Sequence, residues 1–324
     1  MKQVYSQYHG KHVKLGRRRP AALGPHLKLA RYMKATLPTA PPSADYTEKA
    51  MASLNSMFGN DDLGDCVIAG GYHTTGVETG NAGLCYVPSD DLIIKDYSAI
   101  AGYVPGDPST DRGTNEVDAL NYWTSHGFAN GTKLLGWLTV DATDKEEVKS
   151  ALWLFENLMF GIELPDAWVN PMPSVPGFVW DVAGNPDPEQ GHCIVGAGYD
   201  DTGVIVSTWG MLGKVTYDAT AAYAKASAGG ELYVMLSPDQ LAKGATKCPN
   251  GVAWSDLIAD FDKIGGTVPI PVTPPVNPTP GAAPTLEQVK QWVSAGISSG
   301  PSLLWRGHAI GLANTAITQN WPKT

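Results

Sequence analysis

The 324-residue chain lacks any apolar run of 18 or more residues, which excludes a conventional transmembrane helix. It has only four cysteines, and no two of them form a CxxC pair. This spacing argues against a structural zinc site and offers no disulfide framework for a chain of this length. We therefore expect no metal, and the sequence indicates no cofactor. With 43% hydrophobic and 17% charged residues, the chain can still bury a sizeable core.

Acidic residues are absent from residues 1–44, although the whole chain has a formal net charge of −9. The same segment contains nine Lys or Arg residues and ends in a proline-rich stretch, so we expect an extended basic arm. Such an arm could dock on the chain's own acidic body or on a neighbouring subunit, or remain a solvated tail. Nucleic acid is a less favoured partner, since no aromatic stacking pattern or known motif accompanies the charge. The arm also lacks the continuous apolar stretch of a secretory signal, so we expect a cytoplasmic or virion-associated protein.

Three further segments follow the arm. Residues 45–264 alternate apolar segments with turn signals, as a globular domain should. Residues 265–284 contain seven prolines and predict a semi-rigid linker. Residues 285–324 begin with the capping box TLEQ and predict a helical tail. Because forty residues are too few for a core of their own, we expect this tail to pack on a partner or on another copy of the chain.

Within the globular segment, helical patterns come first and strand patterns follow. The predicted helices are 65–79, 90–101, 115–125 and 145–158, and the predicted strands are 158–164, 192–199, 204–209 and 232–236. This order is typical of an α+β fold with an antiparallel sheet.

A cysteine and a histidine stand where a thiol nucleophile and its base would. Cys66 comes at the start of a predicted helix, where the partial positive charge of the helix N-terminus favours a thiolate. His192 enters an apolar strand more than a hundred residues later and could accept the thiol proton. Either residue alone is as readily explained as a buried core residue, because cysteine is among the most buried residue types.

The order of these motifs resembles that of the papain-like cysteine peptidases. The resemblance rests on the cysteine-bearing helix, the Gly-His that opens the later strand, and the sequence STWG at 207–210. More narrowly, GNDDLGDC at 59–66 resembles poorly characterised phage and bacterial proteins of this fold. The resemblance covers about residues 45–236. It implies a two-lobe α+β fold, with Cys66 on a helical lobe and His192 on an antiparallel sheet lobe.

The resemblance also implies roles for individual residues. Cys66 would be the nucleophile, and His192 the general base that later protonates the leaving group. The side-chain amide of Asn60 and the backbone N–H of Cys66 would form the oxyanion hole. Ser207 stands where the family has the asparagine that orients the imidazole, and Trp209 would shield the histidine from water.

Several residues depart from the family pattern. The Ser207 hydroxyl is shorter than an asparagine side chain, and Asn60 is one methylene shorter than the family's glutamine. Gly64 and Asp65 would lie at the binding side of the site. A charged Asp65 would raise the pKa of the neighbouring thiol unless its carboxylate is turned away or paired.

These residues predict thiol-dependent hydrolysis of a peptide or amide bond in a peptide or protein substrate. The alternative is a non-catalytic structural or adhesive protein of a phage particle, because a soluble peptidase needs neither the arm nor the tail. A virion-borne enzyme would combine the two. Cell-wall amidase or transferase activity would use the same Cys–His chemistry on another substrate.

Overall fold

The computed structural model describes residues 1–20, 26–33 and 39–237. The predicted linker, 265–284, and the predicted helical tail, 285–324, lie outside the described residues, as does the end of the predicted domain beyond residue 237. In the described part of the chain, no helix is both long enough and apolar enough to cross a membrane.

The helices lie mainly in the first half of the described chain. They are α1 (Met51–Leu54), α2 (Cys66–Asn81), α3 (Asp90–Ala101), α4 (Glu116–Ser125), α5 (Lys145–Phe155), α6 (Asp166–Val169) and α7 (Tyr217–Tyr223). The Asp144 side chain caps α5 by accepting hydrogen bonds from the amides of Glu146 and Glu147. This helix ends three residues earlier than predicted, because Glu156 adopts a left-handed backbone conformation with φ 62°.

The strands form a two-stranded hairpin and one large sheet. They are β1 (Lys2–Ser6), β2 (Lys11–Leu15), β3 (Leu27–Lys28), β4 (Ala44–Asp45), β5 (Gly136–Thr139), β6 (Leu158–Pro165), β7 (Phe178–Trp180), β8 (Pro186–Tyr199), β9 (Gly203–Thr208), β10 (Met211–Thr216) and β11 (Glu231–Leu236). In the large sheet the order is β3-β5-β11-β6-β8-β9-β10-β7, and β4 pairs with β8. All pairs are antiparallel except β3 with β5 and β7 with β10.

The two larger of three hydrophobic cores in the described residues lie in the two parts of the fold. One of them, which we call the sheet-side core, packs α5 against the sheet through Val148, Leu152 and Phe155. The other gathers α2, α3 and α4, with Cys66 among its buried residues. Since Trp209 belongs to the sheet-side core, the residues predicted for the active site lie where the two cores meet.

The basic N-terminal segment packs on the body of the protein along residues 1–19. Strands β1 and β2 form a hairpin in register from Lys2 opposite Leu15 to Ser6 opposite Lys11. Val13 and Leu15 are buried in the sheet-side core, and this apolar contact stabilises the hairpin on the body of the protein. The composition of this segment predicts an extended arm, and the alternation of Val13 and Leu15 with polar residues in β2 is the sequence signal that would have indicated a strand.

Candidate active site

Cys66 is the first residue of α2 and follows a tightly built loop. Gly59 has φ +85°, and a Cβ at this position would lie 2.8 Å from Oδ2 of Asp65. The GND turn therefore needs glycine both for its backbone conformation and for space. The carbonyl of Asp65 accepts from the amides of Ile68 and Ala69, which starts the helix and places Cys66 at its N-terminus.

His192, on β8, is held between two neighbours. The Trp209 ring stacks on the imidazole with centroids 4.0 Å apart and planes 9° apart. Trp209 has a left-handed backbone with φ 46°, an unusual conformation for a bulky residue. The second neighbour is Thr208, whose Oγ1 lies 2.8 Å from Nε2 of His192. Nδ1 of His192 is buried, and no hydrogen-bond partner for it is found among the described residues.

Ser207 does not orient the imidazole as the family pattern implies. Its hydroxyl donates to the carbonyl of Leu54 at 2.9 Å, and Thr208 contacts His192 instead. The physical reason is the alternation of a strand, where consecutive side chains point to opposite faces. The sequence did not predict this role for Thr208, because the family's asparagine corresponds to Ser207, the position before it.

One small cavity brings the predicted residues together. Cys66, His192, Asn60, Thr208 and Trp209 all line it, and its volume is about 10 Å³. That is room for about one water molecule. The Asn60 side chain is buried, and within the described residues its Oδ1 has no hydrogen-bond partner.

Asp65 has its carboxyl group turned toward Gly59 rather than into this cavity. The group is completely buried, and burial together with the negative charges of Asp111, Asp61 and Asp90 raises its pKa well above the usual range. A raised pKa favours the neutral acid. The negative charge expected beside Cys66 is thereby reduced.

Burial also shifts the two groups of the candidate dyad. Desolvation raises the pKa of the Cys66 thiol to about 12, although backbone hydrogen bonds from Cys193 and Gly16 act in the opposite direction. Desolvation lowers the pKa of His192 to about 3. In this closed state the pair is a thiol and a neutral imidazole, and not the thiolate and imidazolium of an activated nucleophile.

The N-terminal hairpin and the residues after it close the site. Gly16 packs directly on the residues before Cys66, since a Cβ on Gly16 would lie 2.1 Å from the carbonyl oxygen of Gly64. The amide of Arg17 donates to the carbonyl of Gly191 at 3.1 Å. These contacts leave no room for a substrate chain at Cys66 while residues 16 and 17 stay in place.

Ion pairs join the basic segment to acidic residues of the body. The pairs are Lys2–Asp187, Lys11–Asp61, Lys14–Asp111, Arg17–Glu116, Arg17–Glu231 and Arg19–Glu163. Among the partners that the sequence left open, residues 1–19 thus contact the chain's own body. The hairpin turn adds a further contact, since Nε2 of His9 lies 2.8 Å from the carbonyl oxygen of Trp209.

No protein-family model matches the chain, and no curated protein sequence does either. Solved structures do match. Xylellain, a cysteine protease from Xylella fastidiosa, aligns with a TM-score of 0.51 and 15% identity over 73% of this chain and 98% of its own. The fold is papain-like. It has the predicted α+β architecture, in which a helical part carries Cys66 and a largely antiparallel sheet carries His192. A digestive procathepsin L2 from Tenebrio molitor aligns with a TM-score of 0.48 and 14% identity over 69% of this chain and 78% of its own.

Proposed function

We propose that the protein hydrolyses peptide or amide bonds with Cys66 as nucleophile and His192 as base. The observation that carries this proposal is the single cavity lined by Cys66, His192 and Asn60, at the meeting of the two cores of a papain-like fold. A cysteine, a histidine and a side-chain amide that line one cavity are the three groups that a nucleophile, its base and an oxyanion donor require.

The proposed steps use the hydrogen-bonding state of each group. Thr208 holds Nε2 of His192, so Nδ1 takes the proton as the Cys66 sulfur attacks the carbonyl carbon of the substrate. The Asn60 amide and the Cys66 backbone N–H donate to the oxyanion. His192 then gives its proton to the leaving amine, and the thioester remains on Cys66. Water, deprotonated by His192, attacks the thioester, and the released thiolate recovers the proton.

The closed state described above is a resting state in this proposal. Displacement of residues 16 and 17 admits water and substrate to Cys66. Since burial is the largest cause of both pKa shifts, solvent access lowers the pKa of the thiol and raises that of His192. Both changes favour the thiolate–imidazolium pair, so movement of the N-terminal segment would also activate the nucleophile.

The test is a charge reversal on residues 1–19, which we call the covering segment. Lys14 pairs with Asp111 at 2.6 Å, and Lys14→Glu replaces this attraction with repulsion. We expect the full-length variant to be alkylated by iodoacetamide at Cys66 at least about tenfold faster than the wild type, as tenfold corresponds to about 1.4 kcal/mol of closure free energy. Mass spectrometry of the Cys66 peptide measures this rate, with half-buried Cys85 as an internal reference.

The matched control is Lys225→Glu, the same charge reversal at an exposed lysine outside the covering segment. It should label like the wild type. A Lys14→Glu protein that exposes Cys66 to the alkylating agent but hydrolyses neither casein nor peptidoglycan contradicts the proposed hydrolase. Hydrolysis of only one of these two substrates distinguishes a peptidase from a cell-wall amidase.

The closed site itself favours a second candidate function, a structural or adhesive protein that uses this fold without catalysis, such as a component of a phage particle. In that case the covering segment would be a permanent part of the fold. Cys66 would then stay unreactive in Lys14→Glu as long as the protein remains folded. Recovery of the protein in stoichiometric copies on a particle would support this candidate.

A further inference from the structure

The side chain of Arg17 fills a closed acidic pocket formed by Glu116, Gly161, Gly229 and Glu231, which we call the arginine pocket. Nε of Arg17 lies 3.0 Å from Oε2 of Glu116, and Nη2 lies 3.3 Å from Oε2 of Glu231. Nη1 donates to the carbonyl of Gly229 at 2.7 Å. The side chains of Arg17 and Glu116 are fully buried. Nε and Nη1 are thus hydrogen-bonded to the body of the protein, and Nη2 forms an ion pair with Glu231 without a hydrogen bond.

The shape of the arginine pocket depends on a missing side chain. A Cβ on Gly161 would lie 2.7 Å from Nε of Arg17 and 2.4 Å from Oε1 of Glu116. Any larger residue there would occupy the space of the guanidinium plane. On the other side, Glu231 is positioned by the hydroxyl of Tyr233, which donates to Oε2 at 2.9 Å. The pocket is therefore built from fixed groups of strands β6 and β11 and the start of α4.

The arginine pocket adjoins the candidate active site. The amide of Arg17 donates to the carbonyl of Gly191, the residue before His192, and the preceding residue, Gly16, packs against Gly64, two residues before Cys66. Burial, helped by the charge of Glu116, also raises the pKa of the Cys193 thiol, which lines the same cavity as Cys66. A peptide that binds the Gly191 carbonyl in the way Arg17 does would direct its side chain into the pocket.

Removal of Arg17 leaves the pocket with two buried carboxylates. Burial and the charge of Glu116 together raise the pKa of Glu231 to about 7, even though Arg17 acts in the opposite direction. Without a cation, the two groups would face both the desolvation cost and their mutual repulsion. A guanidinium relieves both, and its planar set of donors matches carboxylates better than an ammonium does.

We infer that the arginine pocket is the specificity pocket of this hydrolase and selects substrate peptides that carry an arginine side chain. Arg17 is then a built-in occupant, which both seats the covering segment and shows how a substrate side chain binds. This inference rests on the proposed function for its biological meaning, but the pocket can be tested without catalysis.

The test measures peptide binding to full-length protein carrying Cys66→Ala and Arg17→Ala. The first change prevents turnover, and the second empties the pocket. The probes are acetylated tripeptide amides of alanine in which each position in turn carries arginine or its neutral isostere citrulline. We expect calorimetry to show at least about tenfold tighter binding of arginine than of citrulline at one position, because truncation of a buried charge pair typically costs at least this much.

The charge requirement is checked at Glu231. Adding Glu231→Gln should remove most of the preference for arginine over citrulline, while binding of the citrulline peptide stays within about threefold, since only the carboxylate charge has changed. Arg18→Ala with Cys66→Ala is the matched control. Arg18 is exposed, and Arg17 still fills the pocket in this control variant. The control should therefore bind neither peptide measurably.

A second variant provides the test if Arg17→Ala does not fold. In this variant Arg17 and the pocket residues are unchanged. Lys14→Glu with Cys66→Ala loosens the segment, so arginine peptides should compete for the pocket and citrulline peptides should not. Equal affinity for arginine and citrulline peptides in a folded, peptide-binding protein overturns the specificity inference and leaves the hydrolase proposal standing. Selective arginine binding, with no hydrolysis by the Cys66-containing Arg17→Ala protein, overturns the hydrolase and supports the pocket.

Discussion

The imidazole of His192 is oriented by a hydroxyl rather than by an amide or a carboxylate. Thr208 is the group in contact, and its hydroxyl can either donate to or accept from Nε2. When Nε2 carries the proton, its N–H donates a hydrogen bond to Oγ1 of Thr208, and Nδ1 is left as the basic nitrogen. The Trp209 ring fixes the plane of the imidazole, so the hydroxyl has only to select the tautomer.

Substitutions at positions 207 and 208 should therefore have different effects. In the Lys14→Glu background, Thr208→Val should lower kcat about fivefold to tenfold, as expected for one net hydrogen bond of about 1 kcal/mol. Ser207→Ala removes the bond to the Leu54 carbonyl, so it should cost about 1 kcal/mol of unfolding free energy with little change in kcat. Steady-state kinetics and urea unfolding of both variants measure this. The reverse pattern would return the orienting role to Ser207.

At the scale of the structural element, the N-terminal segment is attached by two kinds of contact. Lys2–Asp187 and Lys11–Asp61 are partly exposed, so each contributes little and is screened by salt. Arg17 and Glu116 are fully buried, and salt screens their interaction much less. The buried apolar side chains of β2 add a contribution that depends on area and not on charge.

This division predicts a partial effect of salt on closure. At about 1 M NaCl, where the Debye length is about 3 Å, alkylation of Cys66 in the wild type should accelerate by about three- to tenfold over low salt. In the double variant Lys2→Ala, Lys11→Ala, the alkylation rate of Cys66 should be higher at low salt and should increase less when salt is added. The reason is that the ion pairs that salt would screen are already absent. Alkylation rates across a salt series measure this. An unchanged salt response in the double variant would mean that other charges hold the segment.

At the scale of the whole molecule, buried titratable groups oppose one another in their effect on stability. Burial lowers the pKa of His73 to about 4, so its neutral form is retained on folding. The unfolded state then binds more protons below about pH 6.5, and stability is lost as pH falls from there toward 4. Asp65 has a raised pKa, so the folded state retains a proton that the unfolded state releases. The contribution of Asp65 to stability is therefore lost as pH rises above about 4, the pKa of the group in the unfolded state.

The two groups should therefore shift the pH of maximum stability in opposite directions when they are replaced. Asp65→Asn removes a loss of unfolding free energy that grows with rising pH, so the pH of maximum stability should be higher than in the wild type. His73→Gln removes a loss of unfolding free energy that grows with falling pH, so the pH of maximum stability should be lower. Urea unfolding in a pH series that starts at about pH 4 and extends above the reference value of histidine, about 6.5, measures both shifts. Shifts in the same direction would contradict the protonation states assigned here.

Much of the fold could be predicted because its signals are local. The start of α2 at Cys66, the bounds of α3 and the strands around His192 follow from periodicity and turn residues close by in sequence. The end of α5 was predicted three residues too late, because apolar side chains continue past the left-handed turn at Glu156 into a strand. The hairpin of β1 and β2 was missed because its basic composition resembles that of a solvated tail.

Short patterns within single segments were enough to predict the α+β order of elements and to select Cys66 and His192 as the candidate pair. The hydroxyl that contacts the imidazole, the burial of the Asp65 carboxyl and the docking of the basic segment could be seen only in the folded chain. These depend on contacts between distant parts of the chain. Arg17 lies 99 residues from Glu116 in sequence and 212 from Gly229, and no local pattern encodes that they share a pocket.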